Sequence, residues 1–245
     1  MFTKLFSVST GLILSIAGIA SAADSMPTQF TFRIENITKP DAFTASNAVT
    51  WSLGFSPGVA LVHTEKAPIF SAGKKDRGKG LEAQAEDGDP SMLAKSLENG
   101  KRIKSVAVFN TPVGGSGPGP ITPGGAYEFT VSGVPGDRLS ITTMMGQSND
   151  WFYAPADSGI ELFKNGKPIS GDITAQIILW DAGTEVNEEP GIGPNQGPRQ
   201  KAPNTGETEN GVVRNAKDVK YGAAFSNVSS VMRVIIKPAQ MPGAN

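Results

Sequence analysis

Leu139-Ser140-Ile141-Thr142-Thr143-Met144-Met145, followed by Gly146-Gln147-Ser148-Asn149-Asp150-Trp151-Phe152-Tyr153-Ala154-Pro155, is the stretch whose reading decides the fold. The first seven residues read as a strand. Small polar residues then break it, one carboxylate stands in the break, and three aromatics follow in a row. A polar loop at a strand end, with an acid in it and a rigid aromatic anchor behind it, suits a site better than a simple turn. A second place of this kind lies downstream, Ile177-Ile178-Leu179-Trp180-Asp181-Ala182-Gly183-Thr184-Glu185. There too a strand ends in Trp and then Asp. The expectation is that these two strand ends meet and hold a cation.

Working outward, residues 29–37 alternate apolar and polar with period two, as a half-buried strand does. Short runs at 51–55, 59–63, 103–109, 127–131, 159–163, 173–180 and 231–238 add to the count, and Asn165-Gly166 marks a hairpin. Pro135-Gly136 predicts another hairpin, between 127–131 and 139–145, which would lay Glu128 beside the strand leading into Asp150. Met92, Leu93 and Leu97 predict one short helix over 90–99, with Asn99-Gly100 as its end. Strand-helix alternation of the doubly wound kind is absent. The expected fold class is all-β, an antiparallel β-sandwich with long loops and one short helix.

Composition agrees. Gly (29) and Pro (18) approach a fifth of the 245 residues, which points to many turns between short strands. Charge is nearly balanced, 22 basic against 23 acidic residues, so no basic excess attracts nucleic acid or an anionic membrane. Cys is absent, and stability has to come from the core, helped by a bound ion if one is present. Lys4, the apolar run 12–20 and Ala20-Ser21-Ala22 fit a cleaved secretory signal over residues 1–22. Residues 23–245 are then one domain, secreted or periplasmic, and no second apolar stretch approaches membrane-spanning length.

Several tempting signals carry less. The only histidine, His63, has no Cys or second His with which to hold zinc. The Gly- and Pro-dense stretch 113–125 lacks the Lys-Ser/Thr and the helix that a phosphate loop needs. Glu82, Glu86, Asp87 and Asp89 read as a solvated face, and neither Asp76 nor Asp87 opens an EF-hand loop. The long polar stretch 185–211 has no pattern of its own and is functional or mobile.

Glu128, Asp150 and Asp181 each stand on or just beyond a strand, and Trp151 and Trp180 flank the last two. Three uses of these acids stay open. Asp150 satisfies turn N–H groups; or the acids converge on a calcium ion, which takes several hard oxygen ligands; or two of them work as the acid and base of a glycoside hydrolase.

At these residues the chain resembles a known family. Ser148-Asn149-Asp150-Trp151-Phe152, then Trp180-Asp181-Ala182-Gly183-Thr184, are similar to the motifs of the spondin domain, found in animal extracellular-matrix proteins and as a single domain in secreted bacterial proteins. The stretch 185–196 is similar to the bacterial branch. The resemblance spans roughly residues 29–238. It implies a C2-like β-sandwich with Ca2+ bound by loops at one end. Asp150 and Asp181 match family ligands, Glu128 is the best match to a third, and Glu185 stands where animal members place a further acid. Trp151, Trp180 and Glu185 are the supporting residues. The implied function is a non-enzymatic calcium-binding adhesion or interaction module, with an extracellular protein or glycan as partner. The alternatives are a carbohydrate-active hydrolase using the same acids and a structural surface protein without metal.

Overall fold

The computed structural model describes residues 26–239; the expected signal segment lies outside them. Among the described residues, eleven strands make two antiparallel sheets. In chain order they are β1 (Thr28–Asn36), β2 (Phe55–His63), β3 (Ile103–Phe109), β4 (Ala126–Gly133), β5 (Arg138–Met145), β6 (Trp151–Pro155), β7 (Ile160–Glu161), β8 (Gly171–Asp172), β9 (Ile177–Asp181), β10 (Arg214–Asn215) and β11 (Met232–Pro238). The four-stranded sheet runs β8-β11-β1-β4. The seven-stranded sheet runs β10-β9-β6-β5-β2-β3, with β7 beside β5. The fold is thus all-β and sandwich-like, as the alternation of 29–37 and its companions predicts.

The sheets meet through their inner faces. Phe30, Phe32 and Ile34 of β1 and Val234 and Ile236 of β11 pack against Ala60, Val62, Ile141, Trp151, Tyr153, Ile177 and Leu179 of the larger sheet. The intervening residues of the larger sheet point the other way, as the two-residue period requires. Val59, Leu61, Phe152, Ala154 and Trp180 form a second core with Phe70 and the apolar faces of two helices, α1 (Leu81–Glu86) and α2 (Ser91–Leu97). Both faces of the larger sheet are therefore covered. This explains why β6 is buried at every position and why Trp151-Phe152-Tyr153 can be aromatic throughout.

Two expectations are corrected. Two helices replace the one foreseen, because α1 is six residues long and too short to show an apolar period. With it, Glu86 leaves the solvated face assigned to it and becomes buried. The hairpin through Pro135-Gly136 also does not form. Val134 to Asp137 does turn, Asp137 N–H donating to the Val134 carbonyl at 3.0 Å. But β4 then pairs with β1 and β5 with β2 and β6, so the turn carries the chain from one sheet to the other. The apolar register β1 offers decides this: Phe30 faces Val131, Ile34 faces Tyr127, and Phe32 stacks on Phe129 with ring centroids 5.5 Å apart. The Asn165-Gly166 hairpin forms as read, both residues at positive φ, between the two-residue strands Phe163–Lys164 and Lys167–Pro168.

Candidate metal centre

β6 and β9 are antiparallel neighbours, with Trp151 the register partner of Asp181. One residue before β6, the Asp150 carbonyl accepts from Ala182 N–H at 3.1 Å, so the ladder runs on past Asp181. The start of one strand and the end of the other thus share a rim, and Asp150 and Asp181 are both fully buried there.

The third acid is Glu209. One carboxylate oxygen from each of Asp150, Asp181 and Glu209 lies within 4.8 Å of the others. Glu209 arrives by backbone pairing. Gly211 N–H donates to the Gly183 carbonyl at 2.6 Å, Glu209 N–H to the Thr184 carbonyl at 2.9 Å, and Glu185 bridges Thr208. Gly183 is required here. Its φ is +70°, and a Cβ would stand 2.6 Å from Val212 N.

Glu128 is elsewhere, which corrects the expected ligand set. It lies on β4, the edge of the other sheet, with its side chain about half exposed and 3.4 Å from Arg33, its register partner. Because β4 never pairs with β5, nothing carries Glu128 toward Asp150. The flanking tryptophans divide. Trp151 donates its indole N–H to Asp181 Oδ2 at 3.2 Å. Trp180 faces away into the second core and donates to the Ala154 and Pro155 carbonyls. Glu185 is buried beside the cluster and accepts from Asn149 Nδ2 at 2.9 Å.

Each acid is half-satisfied. Asp150 Oδ2 accepts from Thr184 N–H (2.8 Å), Glu185 N–H (3.2 Å) and the Thr184 hydroxyl (3.3 Å). Asp181 Oδ2 accepts from Trp151 and, at 2.6 Å, from Asn187 Nδ2. Glu209 Oε1 pairs with Arg214 Nη2. The other oxygens, Asp150 Oδ1, Asp181 Oδ1 and Glu209 Oε2, are buried with no hydrogen-bond donor. Arg214 Nε stands 3.3 Å from Asp181 Oδ1, close enough for charge attraction but not aligned to donate.

Burial raises the proton affinity of Asp150 and Asp181. Burial, with the Asp181 charge second, pushes Asp150 up to about 8, against the pull of the Thr184 and Glu185 N–H groups. Burial also raises Asp181, although Asn187 and Arg214 favour its charge. Glu185 and Glu86, buried nearby, are each pushed up to about 7. A buried acid is held neutral unless a cation offsets the charge.

The long polar stretch is ordered around Asn149. Its Nδ2 donates to Glu185, and its Oδ1 accepts from Glu188 N–H and Gln196 Nε2, both at 2.9 Å. Arg199 then ties the stretch to Gln147 through a 2.7 Å bond from Nη1. Sequence reasoning missed Glu209, Asn149, Asn187 and Arg214. Nothing in the spacing separates Glu209 from Glu207.

All three converging ligand atoms are carboxylate oxygens, the donor set of a hard cation rather than zinc. Two oxygens each ~2.3–2.6 Å from one calcium stand at most about 5 Å apart, which the spacing within 4.8 Å satisfies. No family model matches the chain, and no curated protein sequence matches it.

Proposed function

We propose that this chain is a secreted calcium-binding adhesion or interaction module of the spondin type, its ion held by Asp150, Asp181 and Glu209 at one rim of the sandwich. Two observations carry the reading: the carboxylates of Asp150, Asp181 and Glu209 converge, and each of them keeps one buried oxygen without a hydrogen bond. Leaving such groups bare costs free energy, and a divalent cation removes that cost. Three acids and Arg214 sum to a formal charge of −2 when ionised, which one divalent ion balances. The ion would also fasten the base of the loop that Glu209 closes, stiffening the surface offered to an extracellular protein or glycan. Export rests on the leader-like residues 1–22.

The rival use of these acids, glycoside hydrolysis, is less favoured. Asp150 and Asp181 are at 0% exposure, so no glycosidic bond reaches between them. The deciding experiment is thermal unfolding with calcium and with chelator. Saturating calcium at about 100 times Kd should add about 2.7 kcal/mol. Asp150→Asn, Asp181→Asn and Glu209→Gln should each remove that gain. A wild-type melt that calcium leaves unmoved overturns the reading.

A further inference from the structure

A cleft of about 430 Å3 opens beside the carboxylate cluster, where the start of β2 and the end of β5 come together. Asp150, Asp181 and Glu209 do not line it, so it is a separate space. Its walls are largely apolar, from Met144, Pro57, Pro120, Pro123 and Pro198. Two acids, Glu86 and Asp87, stand in the lining, and neither Lys nor Arg does.

The neutral polar groups of the lining are largely committed elsewhere. Ser56 Oγ donates to the Pro57 carbonyl and accepts from Met144 N–H and Gln84 Nε2. Gln147 donates to the Ser52 carbonyl and accepts from Arg199. Asp87 is held in place by Gln200 Nε2 at 2.9 Å and Asn204 N–H at 3.2 Å, both on Oδ1. The cleft therefore offers a ligand apolar contact and the carboxylate of Asp87, with little neutral hydrogen-bonding capacity. Its volume is in the range of small-molecule sites.

We propose that this cleft binds a small amphiphilic cation, an apolar body with an ammonium head, the body against Met144 and the prolines and the head paired with Asp87. Charge-assisted hydrogen bonds in a cleft partly shielded from water are the strong kind, so the head sets the affinity and the apolar wall sets the shape.

The test is calorimetric titration of the full chain with phenethylammonium and its neutral counterpart 2-phenylethanol, both in chelator. The ammonium should bind with a Kd of about 1 mM, as a ligand of this size allows, and the alcohol about tenfold or more weakly. Asp87→Asn should bring the ammonium toward the alcohol's affinity. Thr122→Trp, at an exposed position on the cleft's rim, should block both ligands while leaving the unfolding curve in place. Equal affinity for the two ligands, ammonium binding that survives Thr122→Trp, or no saturable binding by about 10 mM overturns the proposal.

Discussion

Trp151 and Asp181 face each other across two antiparallel strands, and the indole N–H of the first donates to Oδ2 of the second at 3.2 Å. The same tryptophan is fully buried in the core between the sheets. One side chain therefore joins the packing of the sandwich to the aim of a candidate ligand. Trp151→Phe should cost about 2–4 kcal/mol in chelator, from lost volume and a buried acceptor left with Asn187 alone. Its calcium affinity should also fall, because Asp181 is free to turn. Denaturant unfolding and a calcium titration of the same variant separate the two effects.

Asp150→Asn should stabilise the metal-free protein at alkaline pH while abolishing the response to calcium. Asn keeps an acceptor for Thr184 and Glu185 N–H, and presents an amide donor where Asp150 Oδ1 has no partner. Above the value of about 8 to which Asp150 is raised, the gain should be about 1–3 kcal/mol. Near pH 6 it should vanish, since the wild-type carboxyl is then protonated. Equilibrium unfolding in chelator at the two pH values reads this directly.

The pH dependence has a defined sign. Asp150 rises from 3.8 to about 8 on folding, and Glu86 and Glu185 from 4.5 to about 7. The folded chain thus binds more protons than the unfolded one across this range. The stability these groups confer is complete below their unfolded values and is lost as pH rises through their folded ones. His63 works in the opposite direction, because burial lowers it, but it is one group against four, since Asp181 is raised too. Stability in chelator should therefore decline from about pH 5 to about pH 8. Calcium should bind more tightly over the same interval and release protons, which titration in two buffers of different ionisation enthalpy detects.

Arg214 is the cation already present, against Asp181 and Glu209. Arg214→Gln should destabilise the metal-free protein by about 1–3 kcal/mol, because two carboxylates lose their partner. The calcium-induced rise in Tm should become larger than in wild type. Glu128→Gln is the matching control. Its exposed pair with Arg33 should be worth about 0.5 kcal/mol or less, and calcium binding should not change.

Asn149→Ala should release the loop that follows Asp181. Three hydrogen bonds converge on that amide, leaving Glu185, Glu188 N–H and Gln196 short of partners. A loss of about 2–4 kcal/mol is expected, with faster proteolytic cleavage within residues 186–206.

These relationships show where the sequence was legible. Alternation in 29–37 and the continuous apolar runs after Asp150 and before Asp181 reflect burial, which period and composition report well. The shared rim of Asp150 and Asp181 was legible for the same reason, since each acid abuts an aromatic strand end. Glu128 failed because a period of two says which face a residue takes, not which sheet its strand joins. That choice was made by Phe30, Phe32 and Ile34, nearly a hundred residues away in the chain. Glu209 failed because backbone pairing with Gly183 and Thr184 delivers it, and hydrogen bonds between main chains leave no side-chain signature. Glu86 failed because α1 is too short to declare an inner face.

The excursion between Gly183 and Gly211 begins and finishes within one hydrogen bond of itself. Closing such a span grows costlier only with the logarithm of its length, about 0.6 kcal/mol for each doubling. Its apex, residues 201–203, is exposed. The apex is therefore free to lengthen or diversify through evolution while the carboxylates at the base hold their spacing, so the exposed surface and the buried rim can change independently.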